Sequence, residues 1–106
     1  MNPSDVAQRL RWLVQASGKK ANRLSKAASL DRTYLRLIIA GERTAFGAAP
    51  MAALAQLFGV DLDWLLLGNG AEPDADAVRR HVLARLPEDR DGEDDVEAEA
   101  TERGAA

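Results

Sequence analysis

Apolar residues recur at helical spacing through the first 70 positions of the chain. Their pattern predicts five helices, because no stretch alternates apolar and polar residues as a strand does. The first helix follows a cap at Ser4 or Asp5 and ends at Gly18. The other four are predicted over about 20–28, 32–40, 50–58 and 62–67. The sequence therefore predicts an all-α fold.

Residues suited to helix ends mark the limits of the shorter helices. Asp31 is a good N-cap for the third helix, and Gly41 is placed to end it. Pro50 suits the first turn of the fourth helix, and Asp61 is placed to cap the fifth. Residues 42–48 show little periodicity, which indicates a loop.

The last third of the chain has a different pattern. A narrow apolar stripe predicts a sixth, amphipathic helix over about 74–86, within a linker segment of residues 71–87. The stripe consists of Ala75, Val78, Val82 and Leu86. A helix this short needs a partner surface to be stable. Residues 88–106 are acidic with Val96 as their only large apolar residue, so we expect a disordered tail after a folded domain of residues 1–70.

Charge is distributed unevenly along the 106 residues, whose net charge is −3. Residues 1–70 carry nine basic and five acidic side chains, a net charge of +4. Residues 71–106 carry five basic and twelve acidic ones, a net charge of −7. Between residues 19 and 43, seven basic and two acidic side chains give +5. Such asymmetry is typical of a nucleic-acid-binding body with an acidic tail.

The sequence lacks the residues that several classes of chemistry require. The absence of cysteine excludes disulfides and thiolate zinc sites, and His81 has no second metal ligand near it. There is no nucleophile–base pair, phosphate-binding glycine loop or cofactor motif. No apolar run is long enough to span a membrane, and the polar N-terminus is unlike a signal peptide. We therefore expect a cytoplasmic protein that is not an enzyme, with no catalytic residues, metal or cofactor and no membrane partner.

The second and third helices, joined by a tight turn at Ser29 and Leu30, predict a helix-turn-helix. The third helix would present Arg32, Thr33 and Arg36 outward, where an arginine fork can bond a guanine edge or a phosphate. Three basic residues near the start of the second helix would face the DNA backbone. These are Lys19, Lys20 and Arg23.

The segment from Arg9 to Gly70 resembles the lambda-repressor-like (Cro/repressor, Xre-type) helix-turn-helix domains, which have five helices. The matching stretches are RLRWL at 9–13, LSKAASLDRTYL at 24–35, AGER at 40–43, LAQLFGV at 54–60 and DLDWLLLG at 61–68. Their order and spacing carry the resemblance, which covers about two-thirds of the chain.

The resemblance implies a sequence-specific regulator of transcription, of the repressor type, that binds double-stranded DNA with helix 32–40 in the major groove. It places base contacts at Arg32, Thr33, Arg36 and Leu37. It places phosphate contacts at Lys20, Tyr34 and Arg43. Such domains bind as homodimers, here through the fifth helix or the apolar stripe, and they are nucleoid-associated proteins of bacteria or phages.

The sequence departs from the family pattern at three positions. Relatives carry Gln where Ala21 stands, so the contact that this Gln makes is missing. Relatives often pair an Arg with a Glu where Val14 and Ile39 stand, so a hydrophobic contact replaces an ion pair. These changes favour an alternative function, a protein-interaction module or antitoxin-like adaptor with weak or no DNA binding. Its partner would be bound through Leu37, Ile39 and the C-terminal segment, and the acidic tail could also fold back on the basic body.

Overall fold

The computed structural model describes residues 2–86 and is all-helical over that range. The helices are α1 (Pro3–Ser17), α2 (Ala21–Ala27), α3 (Tyr34–Ile39), α4 (Ala48–Phe58), α5 (Leu62–Leu67) and α6 (Ala75–Arg85). The predicted disordered tail, residues 88–106, lies outside the described residues. Within residues 2–86, no helix has the length and apolar character needed to cross a membrane.

Helix α1 buries the apolar face that its spacing predicts. Val6, Leu10 and Leu13 are fully buried, and Gly18 ends the helix in the left-handed conformation. The start of the helix was predicted wrongly, since the cap is Asn2 rather than Ser4 or Asp5. The Asn2 side chain accepts a hydrogen bond of 2.9 Å from the Ser4 amide. Pro3 takes the first helical position, where its missing N–H costs nothing.

Helix α4 supplies much of the core and begins two residues earlier than predicted. Met51, Leu54, Leu57 and Phe58 are buried, as their shared face predicts. The helix starts at Ala48 because a proline is tolerated anywhere in the first turn, where backbone N–H groups have no helical partner. Pro50 therefore lies within the first turn instead of starting it.

Helix α6 belongs to the same core as the first five helices. Asp74 caps it by accepting a hydrogen bond of 2.9 Å from the Ala77 amide. Val78, Val82 and Leu86 are buried, and the helix packs on α1 and α4. The apolar stripe therefore has its partner surface within its own chain, and these three residues are not available as a dimer surface in this fold.

Close packing of α6 on α4 requires glycine at position 59. Gly59 ends α4 with φ 73°, and a Cβ atom there would lie 2.6 Å from the His81 ring. The His81 Nε2 atom is 3.1 Å from the Gln56 carbonyl oxygen, near the end of the same helix. The half-buried His81 ring therefore packs at the α4–α6 contact.

An arginine of α1 holds α5 in place by binding backbone carbonyls at the C-terminal end of α5. The Nε and Nη2 atoms of Arg9 donate hydrogen bonds of 2.7 and 3.0 Å to the carbonyl oxygens of Leu65 and Leu66. A cation is favourable there, because these carbonyls carry the negative end of the helix dipole. Trp12 and Trp64 pack edge to face with their ring centroids 6.2 Å apart, which adds a second contact between α1 and α5.

Candidate nucleic-acid interface

Helices α2 and α3 form two short helices joined by a turn, as the sequence predicts. Ser29 has φ 64° and is the one non-glycine residue with a positive φ among residues 2–86. The Leu30 amide donates back to the Ser25 carbonyl at 2.9 Å, which closes the turn. The structure therefore has two short helices, α2 and α3, connected by a tight turn.

A buried serine joins the two helices directly. Ser25 is fully buried in α2, and its Oγ accepts a hydrogen bond of 3.1 Å from the Leu35 amide in α3. The first amides of a helix have no partner inside the helix, so Ser25 satisfies one of them from outside. Sequence reasoning gave Ser25 no role. Its only signal is a small polar residue directly after the core residue Leu24.

Helix α3 begins later than predicted, at Tyr34 rather than Arg32. Asp31 does not cap the helix directly. Its Oδ1 instead accepts hydrogen bonds from the amide and the hydroxyl of Thr33, at 3.0 and 3.1 Å. This local turn holds residues 31–33 outside the helix, which shortens α3 to six residues.

The Asp31 carboxylate is stabilised in its ionised form by the same contacts. The backbone amide of Thr33 and then its hydroxyl hold the pKa of Asp31 below its ordinary value of 3.8. Desolvation opposes these two bonds with a smaller effect, and the positive charges of Arg43 and Arg32 add still smaller contributions that lower the pKa. The turn before α3 therefore depends on a charged aspartate.

The predicted base-contact residues lie on and just before α3. Arg36 is exposed on the helix, and Leu37 beside it is half-buried. Arg32 and Thr33 are half-buried in the turn that precedes the helix. The structure thus places all four in one continuous segment, with Arg36 the most accessible of them.

Three of the five predicted phosphate-contact residues reach the surface. Lys20 and Arg43 are exposed, at the start of α2 and after the end of α3, and Arg23 is half-buried on α2. Lys19 and Tyr34 are each only 6% exposed. In this fold these two side chains offer almost no accessible surface to a phosphate.

Tyr34 is a core residue that faces away from solvent. Its hydroxyl is enclosed and has no hydrogen-bond partner among the described residues. The Arg43 guanidinium covers the ring, with Cζ 4.8 Å from the ring centroid. Tyr34 is the first residue of α3, and this turn of the helix faces the core, so the hydroxyl cannot meet a phosphate in this arrangement.

Lys19 lies in the short connection between α1 and α2. Gly18 turns the chain there, and the Lys19 amide donates a hydrogen bond of 3.1 Å to the Ser17 Oγ. The Ser17 hydroxyl in turn donates to the Val14 carbonyl at 2.7 Å. This tight junction buries the Lys19 side chain. The sequence pattern instead predicts an exposed side chain there, near the start of the second helix.

Two of the positions at which the sequence departs from the family pattern described above are apolar packing positions. Val14 in α1 and Ile39 in α3 are both half-buried and pack against the core. Helices α1 and α3 are in contact, so the apolar pair supports the packing of α3. Ala21, at the position of the missing Gln, is half-buried at the start of α2.

The part of the chain that the structure describes holds no group of three or more side chains suited to bind a metal ion. Comparisons with models of protein families, with curated proteins and with solved structures found no match for this chain.

Proposed function

We propose that this chain is a sequence-specific regulator that binds double-stranded DNA, with α3 in the major groove. The observation that carries the proposal is the pair α2–α3, joined by the bond from the Leu35 amide to Ser25. This pair lies within the segment of charge +5 and exposes Arg36 on its second helix. A short, rigidly held helix with an exposed arginine is suited to read base edges.

The accessible side chains have two separate roles in this proposal. Arg36 and Leu37 contact bases, together with Arg32 and Thr33 from the turn, because recognition helices use residues near their N-terminus. Phosphates are bound by cationic side chains on either side of α3. These are Lys20, Arg23 and Arg43.

The proposal includes the lambda-repressor-like family and a homodimer that acts on DNA in the cytoplasm. The helix order α1 to α5 supports the family, and α6 is an addition that packs on α1 and α4. The dimer surface is α5, because Leu67 is 55% exposed, more than any other large apolar residue in the described range. Two half-sites would then lie about one helical turn apart, roughly 34 Å.

The test is selection of bound sites from random duplexes by the full chain, followed by binding titrations at several salt concentrations. Log K should fall steeply with log[salt], since phosphate binding releases counterions. Arg36→Ala should relax base preference at the selected positions, whereas Lys20→Ala should weaken binding to all sequences alike. Failure to enrich any sequence, or affinity that ignores salt, would refute the proposal.

A protein-interaction module is the second candidate. The half-buried apolar pair Leu37 and Ile39, and Ala21 in place of Gln, favour it. Leu37→Asp and Arg36→Ala distinguish the two functions. A protein module should lose its partner in a pull-down only with Leu37→Asp, whereas a DNA-binding protein should lose sequence preference with Arg36→Ala.

A further inference from the structure

An open groove of about 530 Å³ lies beside the recognition helix. Its walls are the first half of α1 and the end of α3 with the residues that follow. Ala7, Ile38 and Ile39 give it an apolar lining, and Arg11 and Arg43 stand at its polar side. The groove therefore combines an apolar surface with cationic groups.

The charges at this groove are of one sign. Arg11 and Arg43 are both exposed, and the described residues that line the groove include no carboxylate. A suitable occupant is an extended acidic segment that carries one or two small apolar side chains. Carboxylates would bind the guanidinium groups, and an apolar side chain would cover the half-buried Ala7 and Ile39.

The chain itself contains such a segment outside the described residues. Residues 87–106 carry nine acidic and two basic side chains, a net charge of −7. Within them, residues 93–100 read EDDVEAEA, in which Val96 is flanked by carboxylates on both sides. This is the only segment of the tail that pairs a large apolar residue with dense negative charge.

The groove is within reach of this segment. The tail follows Leu86, which packs in the core next to α6, and α6 lies on α1. The 15 residues of α1 span about 22 Å. The ten residues from 87 to 96 extend to about 33 Å. A tethered segment of this length is present at an effective concentration of about a millimolar, so weak contacts suffice to hold it.

We infer that residues 93–97 dock in the groove between α1 and α3 of their own chain. Val96 packs on Ala7 and Ile39, and neighbouring carboxylates pair with Arg11 and Arg43. Docking covers Arg43 and the end of α3, so the tail competes with DNA for the interface. This last consequence rests on the proposed function. A selected site displaces the tail, whereas random DNA, held by phosphate contacts alone, competes poorly with it.

The docking itself is tested without DNA, by paramagnetic relaxation in the full chain. The protein has no cysteine, so Ala98→Cys gives one nitroxide label next to the proposed contact. Amides near residues 7–11 and 38–44 should broaden. A label at Gly104→Cys is the matched control and should broaden them much less. Adding Val96→Asp to the Ala98→Cys chain should abolish the effect.

Three results would overturn the docking. They are no selective broadening from position 98, equal broadening from position 104, and broadening that survives Val96→Asp. A fourth arm mixes labelled chains with isotope-enriched unlabelled chains. Broadening confined to that mixture would place the tail on a second copy and refute docking within one chain.

The competition with DNA is tested by neutralising Asp94, Asp95 and Glu97 to Asn, Asn and Gln in the full chain. Affinity for random duplex at low salt should rise at least about threefold. The matched control removes as many charges outside the docked segment, with Asp89→Asn, Asp91→Asn and Glu102→Gln, and should have a smaller effect. Equal effects would refute competition through the groove. Absence of any DNA binding would refute the proposed function instead, and leaves the relaxation result standing.

Discussion

The bond between Ser25 and Leu35 allows the link between the fold and the proposed DNA binding to be measured. Ser25→Ala removes the Oγ atom that accepts from the Leu35 amide at 3.1 Å. The contact is fully buried, so the amide is left with no partner and no water in its place. A buried donor that loses its partner costs about 1–3 kcal/mol. We expect the free energy of unfolding to fall by that amount.

The same substitution should also weaken DNA binding. Helix α3 has six residues and is too short to be stable alone, so its position depends on contacts with its neighbours. Loss of the bond near its first turn frees the helix to shift relative to α2. We expect affinity for the selected duplex to fall about three- to tenfold, which corresponds to roughly 0.7–1.4 kcal/mol.

Ser17→Ala is the matched control for this experiment. Ser17 is also buried, and its hydroxyl also bonds backbone groups, those of Val14 and Lys19. Urea unfolding of the full chain should show a similar loss of stability in both variants. Only Ser25→Ala should lose DNA affinity under conditions where both are fully folded. Equal affinity losses, or unchanged stability of Ser25→Ala, would refute the reasoning.

Three further predictions follow from the structure. Tyr34→Phe should leave DNA affinity within about twofold of that of the unchanged chain. It should leave the free energy of unfolding unchanged or raise it, because the buried hydroxyl has no partner in the described chain. A fivefold loss of affinity in a binding titration would contradict this and indicate that Tyr34 contacts a phosphate. Arg9→Met should lower the free energy of unfolding by about 2–4 kcal/mol, since two charge-assisted bonds to α5 are lost. Arg80→Met is its exposed control, expected within about 0.5 kcal/mol, and equal urea midpoints would contradict the role of Arg9. The pKa of Asp31 is lower in the folded chain than in the unfolded chain. The ionised Asp31 carboxylate therefore stabilises the fold above about pH 4, and this stabilisation is lost as the pH falls through the pKa of the folded state. Asp31→Asn should flatten that part of the pH–stability curve measured by urea unfolding, and an unchanged curve would exclude this contribution.

The elements and the core could be predicted from the sequence because both depend on local periodicity. Leu10, Leu54 and Val82 are buried as their helical spacing indicates. The left-handed ends at Gly18 and Gly59 likewise follow from the residue type alone. Helical periodicity and helix-ending residues are therefore sufficient to predict an all-helical architecture.

Contacts between distant residues could not be predicted in this way. The bond from Arg9 to the Leu65 carbonyl joins positions 56 residues apart, and no periodic pattern reports it. The burial of Lys19 depends on how α1 meets α2, and that of Tyr34 depends on the side that α3 turns to the core. The partner of the apolar stripe was also undetermined, since an amphipathic helix indicates only that a partner surface exists.

The start of α3 illustrates a competition between two local preferences. Asp31 is equally suited to cap a helix and to form a turn with a residue two positions on. The hydroxyl of Thr33 adds a second bond to the same carboxylate oxygen, which favours the turn. Arg32 thereby leaves the helix, and Arg36 becomes the exposed arginine of α3.

The burial of α6 also determines how the acidic tail acts. If the apolar stripe had faced a second chain, the tail would begin at a dimer contact, and its distance from the DNA interface would depend on assembly. Because Val78, Val82 and Leu86 are buried within their own chain, the tail begins at a fixed point on the folded body. If residues 93–97 dock as inferred, the tail's charge of −7 stays close to the +5 segment at any protein concentration. Restraint of non-specific DNA binding should therefore not vary with dilution, which follows from the inferred docking and distinguishes it from self-association.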